Sequence, residues 1–125
     1  WIRKFSPRTK RLLRLALLPR HRSRIFCFVS GQLPICAATG EMPEDIKAQA
    51  EMSLLNVKAV LEAAGSSLDK VVKTTCFLAD INDFAAFNEV YARMMPKTGA
   101  PSRSAVGIAA LPKGAKVEIE AIAIR

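Results

Sequence analysis

The feature that most constrains the fold of this chain is a helical pattern between residues 42 and 65. Its apolar residues recur at intervals of three and four, which places them on one stripe of a helix: Ile46, Ala50, Leu54, Val57, Leu61 and Ala64. Pro43, Glu44 and Asp45 suit the first turn, where a fixed φ and negative charge both favour a helix. Gly65 supplies the stop. The sequence therefore predicts a helix with one buried face.

Strand patterns surround this helix on both sides. Strands are predicted over residues 25–35, 68–80, 102–111 and 115–124, with a second helix over 81–95 and turns at 38–41 and 112–114. The resulting order is strand, helix, strand, helix, strand, strand, which is not a regular alternation. It predicts a single α+β domain in which two helices pack on one face of a mixed β-sheet.

The charge of the chain is divided between two unequal parts. The formal net charge is +8. Residues 1–24 hold nine Lys and Arg and no acid, whereas residues 25–125 hold ten Lys and Arg against eleven Asp and Glu, a net of −1. This division predicts an atypical basic N-terminal segment, 1–24, followed by a nearly neutral domain, 25–125. No apolar run approaches the ~20 residues that span a bilayer, so no membrane partner is expected.

Several kinds of site lack the residues they need. The three cysteines, Cys27, Cys36 and Cys76, show no CxxC spacing, and His21 is the only histidine. A zinc site takes about four such ligands, so no metal is expected. A catalytic Ser–His–Asp set is not expected, and neither GxxxxGK[ST] nor GxGxxG occurs. The cysteines are interpreted as small apolar fillers in a reducing, intracellular setting.

Two charged residues near the end of the chain are candidates for chemistry. Arg103 stands at the start of a predicted strand, and its planar guanidinium matches a carboxylate with two parallel hydrogen bonds. Glu120 lies in the most apolar predicted strand, where a carboxylate is costly unless it is paired or used. Such a group can orient or deprotonate a water molecule. For each residue, an ordinary ion pair is the alternative.

Three uncharged residues are weaker candidates. Gly31 directly follows a predicted buried strand and permits close approach of the backbone to a ligand, although a simple turn is the more common explanation for such a glycine. Asn88 lies one helical turn after Phe84, so both side chains face the same side. A solvent-facing amide is the alternative for Asn88. Phe84, Phe87 and Tyr91 are otherwise interpreted as ordinary core residues.

Longer stretches of the chain resemble one family almost end to end. The resemblance to the RidA (YjgF-type) family covers about residues 26–124 and rests on FVSGQLPI, on ATGEMPEDIKAQAEMSLLNVKAVLEAAG and on the specific signature PSRSAV…LP…VEIEAIA. It implies a chorismate-mutase-like α+β fold and a homotrimer with three clefts between subunits. It also implies that the protein is a hydrolase with an activity like that of 2-iminobutanoate/2-iminopropanoate deaminase. Such an enzyme converts reactive enamines and imines, including 2-aminoacrylate, to 2-oxo acids and ammonia without metal or cofactor.

The resemblance also implies roles for individual positions. Arg103 is expected to bind the substrate carboxylate, and Glu120 to hold the water that attacks the C=N carbon. The resemblance further implies that the rest of the substrate cleft is lined by Gly31, Leu33, Phe84, Asn88 and Ala105. Many relatives carry a cysteine where Ala105 stands, so a thiol role is not implied here. Because an iminium is already electrophilic, placement and a poised water are enough for the reaction.

The first 24 residues depart from the family pattern. The family's GPYSQ segment, whose tyrosine reaches the cleft, corresponds here to a stretch near LALLPRHRS, with Leu17 or a neighbour at the tyrosine position. Three accounts are open: the product of a shifted reading frame, a targeting peptide, and a basic arm for nucleic acid or anionic lipid. Loss of the tyrosine is expected to reduce activity rather than abolish it, because Arg103 and Glu120 persist.

Two alternatives to a working deaminase remain. One is a non-catalytic binding or regulatory protein related to translation or nucleic acid, and the other is an impaired member of the family. Because residues 25–125 are nearly neutral, nucleic-acid binding is expected only through residues 1–24. The expected partners are small imine and enamine acids and further copies of the chain. The expected location is the cytoplasm, with the mitochondrial matrix as the alternative.

Overall fold

The computed structural model describes residues 25–125, which form four strands and two helices. The strands are β1 (Phe26–Gln32), β2 (Val71–Leu78), β3 (Ser102–Gly107) and β4 (Val117–Ile124), and the helices are α1 (Ile46–Ala63) and α2 (Phe84–Met94). The predicted basic segment, with His21 and the Leu17 position, lies outside the described residues.

The four strands form one mixed sheet in the order β1-β4-β2-β3. Strand β4 pairs antiparallel with both β1 and β2, whereas β3 pairs parallel with β2. This arrangement confirms the predicted α+β class with a mixed sheet. The two closing strands do not pair with each other, because β2 lies between them. Their connection turns at Lys113 and Gly114, which both have positive φ (58° and 66°).

Helix α1 packs against β4 and β1 with the stripe that its sequence predicts. The buried members of this stripe are Ala50, Leu54, Val57 and Leu61. The helix begins later than predicted, because the Asp45 carboxylate accepts a hydrogen bond from the backbone N–H of Ala48 (3.0 Å). Asp45 is therefore the N-cap rather than a residue of the first turn. Gly65 follows the helix with a φ of 81°, as its predicted role requires.

Two buried amides on α1 fix the segments that flank the sheet. The Asn56 side chain donates hydrogen bonds to the carbonyl oxygens of Leu33 and Ile35, both at 2.9 Å. The side-chain oxygen of Gln49 accepts a hydrogen bond from the backbone N–H of Lys116 at 2.8 Å. Buried amides must find such partners, and here they attach the end of β1 and the approach to β4 to the same helix.

The two faces of the sheet have different surroundings. Side chains on one face pack beneath the helices and are buried, among them Cys27, Val29, Cys76, Ile119 and Ala121. Alternate residues of the same strands point to the opposite side, which we call the open face. Several apolar side chains on the open face are more than 40% exposed: Phe26, Phe28, Val106 and Ile124.

The cysteines only partly match their interpretation as apolar fillers. All three are free thiols, and Cys27 and Cys76 are buried. Cys36 is half-exposed because it lies in the turn after β1, where the backbone N–H of Gly40 donates to its carbonyl oxygen (2.7 Å). Within residues 25–125, no helix is long and apolar enough to cross a membrane. In the same residues, no group of three or more His, Cys, Asp or Glu side chains could hold a metal ion.

Candidate active site

Arg103 lies at the start of β3, and its side chain reaches under helix α2. Its Nη1 donates a 2.7 Å hydrogen bond to the side-chain oxygen of Asn88. The guanidinium carbon lies 4.5 Å from the ring centre of Tyr91 and 5.4 Å from that of Phe84. Residues 84, 88 and 91 stand one turn apart on a single stripe of α2, so one helix face supplies all three contacts. Asn88 and Phe84 thus share a side, as predicted, and Asn88 does not simply face solvent.

The positive charge of Arg103 has no carboxylate partner in the described part of the chain. The ion pairs among residues 25–125 involve Lys47, Lys58 and Arg93, and none includes Arg103. The alternative of an ordinary ion pair is therefore not met there. A half-buried guanidinium with one protein hydrogen bond retains further N–H donors. These donors suit the two oxygens of a carboxylate.

Beneath Arg103 lies a buried polar contact between the helix and the sheet. The Tyr91 hydroxyl and Thr74 Oγ1 are 2.7 Å apart, and both side chains are buried. Burial raises the pKa of the Tyr91 phenol, and burial raises the pKa of the neighbouring Cys76 thiol to about 11. Nothing in the sequence distinguishes Tyr91 for this role, because an aromatic residue at helical spacing is typical of an ordinary core.

Gly31 and Glu120 meet at a bulge on the open face. The register of the β1–β4 pair shifts between Val29 and Gln32, so Ser30 and Gly31 together face Glu120 alone. An extra residue in one strand re-aims the side chains around it, a device that recurs beside active sites. The bulge therefore places the candidate carboxylate opposite the candidate glycine.

Glu120 is exposed in the described chain, and no ion pair among residues 25–125 includes it. Its neighbours in sequence, Ile119 and Ala121, turn to the helices, because side chains alternate along a strand. The apolar residues that flank Glu120 along the chain thus do not surround its carboxylate. The sequence suggests that the Glu120 carboxylate is buried at a cost in free energy, but within one chain this carboxylate is exposed and the cost does not arise.

A second carboxylate, Glu118, accompanies Glu120 on the same face. A Cβ built on Gly31 would overlap the Glu118 carboxyl group, which occupies the space that the glycine leaves. Partial burial raises the pKa of the Glu118 carboxyl, and the negative charge of Glu120 adds to the increase. The predicted close approach at Gly31 is thus made by a side chain of the protein itself. Glu118 could have been recognised from the sequence, because it and Glu120 are two acids separated by one residue in the apolar VEIE stretch.

Leu33 and Ala105 occupy the edges of these two groups of residues. Leu33 is half-buried just beyond β1, where Asn56 holds its carbonyl oxygen. Ala105 is half-buried on β3 and lies opposite Cys76 in the parallel register, on the same side of the sheet as Arg103. That these two residues line a substrate cleft stays a prediction.

The two principal candidates lie on opposite faces of the sheet. Arg103 pairs with Thr74 and reaches toward the helices, whereas Glu120 pairs with Thr75 and points to the open face. Successive residues of a strand point in opposite directions, so Thr74 and Thr75 mark the two faces. One chain brings Arg103 to Asn88 and Phe84, and brings Glu120 to Gly31, but does not bring the two groups together. A site that uses both needs residues from two chains.

Replacement of Gly31 by alanine is expected to act through Glu118. Gly31 does not have a positive φ, so alanine is compatible with the backbone and alone would add about 0.4–1 kcal/mol of stability. When Glu118 is present, however, the new methyl group at position 31 must displace the Glu118 carboxyl. The free energies of unfolding of Gly31→Ala, Glu118→Ala and the double variant, measured by urea titration, should therefore show a coupling of at least about 0.5 kcal/mol. Additive effects would mean that the two residues are not in contact.

Comparison with known proteins extends over most of the chain. Residues 20–125 match the family model described as Endoribonuclease L-PSP. The 2-iminobutanoate/2-iminopropanoate deaminase of Escherichia coli (strain K12) is 52% identical over 98 residues, which are 77% of each chain. The protein of the same name from Salmonella typhimurium is 51% identical over 98 residues, again 77% of each chain.

Solved structures agree with this relationship. The crystal structure of E. coli TdcF with bound serine matches with a TM-score of 0.77 and 50% identity over 81% of both chains. That of RidA from an Antarctic Psychrobacter species matches with a TM-score of 0.77 and 44% identity, over 84% of this chain and 89% of that one. With a family model that matches residues 20–125 and relatives identical at half of the aligned positions, the chain belongs to the RidA (YjgF-type) family.

Proposed function

We propose that this protein hydrolyses reactive 2-imino acids and their enamine tautomers to 2-oxo acids and ammonia. The observation that carries the proposal is the Arg103 guanidinium, which Asn88 and two aromatic rings hold without a carboxylate partner among residues 25–125. An anion of matching shape is what such a group binds. The relatives named 2-iminobutanoate/2-iminopropanoate deaminase act on small acids of this kind.

The chemistry needs few groups. Arg103 binds the substrate carboxylate and so fixes the position of the adjacent C=N carbon. Glu120 accepts a proton from a water molecule as its oxygen bonds to that carbon, and the nitrogen gains a proton to give a carbinolamine. The proton that the nitrogen gains in this step comes from solvent. Glu120 then gives the proton that it took from water to the amino nitrogen, and the C–N bond breaks as the hydroxyl proton is released to solvent. Ammonia departs, the 2-oxo acid remains, and Glu120 is again a carboxylate. One water is consumed for each imine.

The positions of Arg103 and Glu120 support an assembly with sites between subunits. Because the two side chains leave opposite faces of the sheet, the helix side of one chain must meet the open face of another. The open face carries exposed Phe26, Phe28 and Ile124, which a neighbouring chain would shield from water. We infer a chorismate-mutase-like homotrimer with three such clefts. A cytoplasmic location stays a prediction.

A nucleic-acid function is less well supported. The family model carries the description Endoribonuclease L-PSP, yet residues 25–125 hold ten basic and eleven acidic residues. A domain with a net charge of −1 has no excess of positive charge, and such an excess supplies most of the affinity for phosphate. Binding of nucleic acid by this domain is therefore not the function proposed.

The proposal is tested with 2-aminoacrylate and 2-aminocrotonate generated in situ from serine and threonine by a pyridoxal-phosphate dehydratase. Pyruvate and 2-oxobutanoate formation should accelerate in proportion to added protein, above the rate in buffer or with heat-denatured protein. Mass photometry or native mass spectrometry on the same sample should give three chains per particle. A trimer that accelerates neither reaction would overturn the proposed activity.

A further inference from the structure

Arg103 is oriented by more than its hydrogen bond to Asn88. A single bond through Nη1 leaves the guanidinium free to pivot about that bond. The ring of Tyr91 lies 4.5 Å from the guanidinium carbon, closer than the ring of Phe84 at 5.4 Å. A planar cation over an aromatic face is attracted to it and loses this freedom. The position of the Tyr91 ring therefore influences the direction of the remaining N–H donors.

The Tyr91 ring is in turn attached to the sheet. Its hydroxyl lies 2.7 Å from Thr74 Oγ1, with Thr74 1% and Tyr91 7% exposed. Thr74 is also the register partner of Arg103 in the parallel β2–β3 pair. The contacts therefore form a closed loop: Arg103 stacks on Tyr91, Tyr91 bonds to Thr74, and Thr74 lies beside Arg103 in the sheet. A shift of helix α2 relative to the sheet would have to break this bond.

The neighbours of Arg103 in this group are neutral. The Tyr91 phenol is neutral at neutral pH because its ordinary pKa is about 10, and burial raises that pKa further. Burial also raises the pKa of Cys76, to about 11. The cation therefore lies among groups that orient it without neutralising it. Simple core packing would need the Tyr91 ring and the Thr74 methyl group, but it would not need two hydroxyls aimed at each other.

We propose that Thr74 and Tyr91 are positioning residues, whose buried hydrogen bond sets the plane of the Arg103 guanidinium and so the affinity for the substrate carboxylate. The inference rests on the proposed function, because it takes Arg103 as the carboxylate-binding group. Neither residue contacts the substrate in this scheme. Both act through Arg103.

Tyr91→Phe and Thr74→Val each remove one hydroxyl and keep the shape of the side chain. We expect KM for 2-aminocrotonate to rise about fivefold in each variant with kcat within about twofold, because the carboxylate contact is weakened in the ground and transition states alike. Calorimetry should show the same factor in Kd for 2-oxobutanoate, the product. The double variant should match the single variants, because both hydroxyls belong to one bond.

Thr74→Ser is the matched control, because it keeps a hydroxyl at the same position. Its KM should stay within about twofold of the parent. Tyr91→Phe with unchanged KM and Kd, and only a lower Tm, would reduce the pair to core packing and overturn the inference. Should Tyr91→Phe fail to fold, the comparison of Thr74→Val with Thr74→Ser decides. An inactive parent would instead overturn the proposed function, so the two failures are distinguishable.

Discussion

Replacement of Arg103 by alanine is expected to lower kcat/KM for imine hydrolysis by about 100-fold or more. A hydrogen bond to a charged group contributes about 1.5–3 kcal/mol, and a carboxylate can accept two from one guanidinium. The substitution leaves no described carboxylate without its partner, because none pairs with Arg103. Asn88 does lose its hydrogen bond to Arg103, so a modest fall in Tm is expected, whereas the large loss should appear in the rate of 2-oxo acid release.

Two control variants separate the site from general effects of charge. Arg103→Lys keeps the positive charge but loses the planar fork, so its kcat/KM should fall between those of the parent and the alanine variant. Arg93→Ala removes another arginine of helix α2, one that lies 3.7 Å from Glu51 on the surface. Its activity should match the parent. Full activity in Arg103→Ala would remove Arg103 from the mechanism.

The elements of the fold were predictable because their signals are local. The spacing of Leu54, Val57 and Leu61 fixes both the helix and its buried face within a few turns of chain. The sequence predicts strand β2 over 68–80, and the strand runs from Val71 to Leu78. It begins later than predicted because residues 68–70 form a short 3-10 turn. The capping role of Asp45 was missed because an acidic residue suits the N-cap and the first turn alike.

The arrangement of the site was less predictable, because it depends on which distant segments meet. Arg103 bonds to Asn88, 15 residues earlier, and that contact follows from β3 pairing with β2 rather than with β4. Alternation along a strand identifies faces but not neighbours. The same limit applies to Tyr91 and Thr74, whose hydroxyls meet only when α2 is laid over the sheet. The resemblance to the family supplied the residues, and the structure supplied the faces that they occupy.

The opposite orientations of Arg103 and Glu120 lead to a prediction about mixtures of two inactive proteins. Glu120→Ala should lower kcat by about 10²–10⁴, the range attributed to general base catalysis, and Arg103→Ala should be nearly inactive as well. If each cleft takes Arg103 from one chain and Glu120 from another, a mixed trimer contains some clefts in which both residues are intact. Random association of equal amounts of the two variants should restore about a quarter of the parent activity.

The recovery depends on exchange of chains, so the variants are refolded together, and native mass spectrometry of one isotopically labelled variant confirms mixed trimers. Variants refolded separately and then combined without exchange should stay inactive. A second experiment refolds the parent with an equal amount of the Arg103→Ala/Glu120→Ala double variant and measures how much of the parent activity is lost. A site shared between two chains should retain about a quarter of the activity of an all-parent sample, whereas a site within one chain should retain about half. Mixed trimers of the two single variants that recover no activity would contradict the intersubunit site, because they would show that one chain supplies both groups to each cleft.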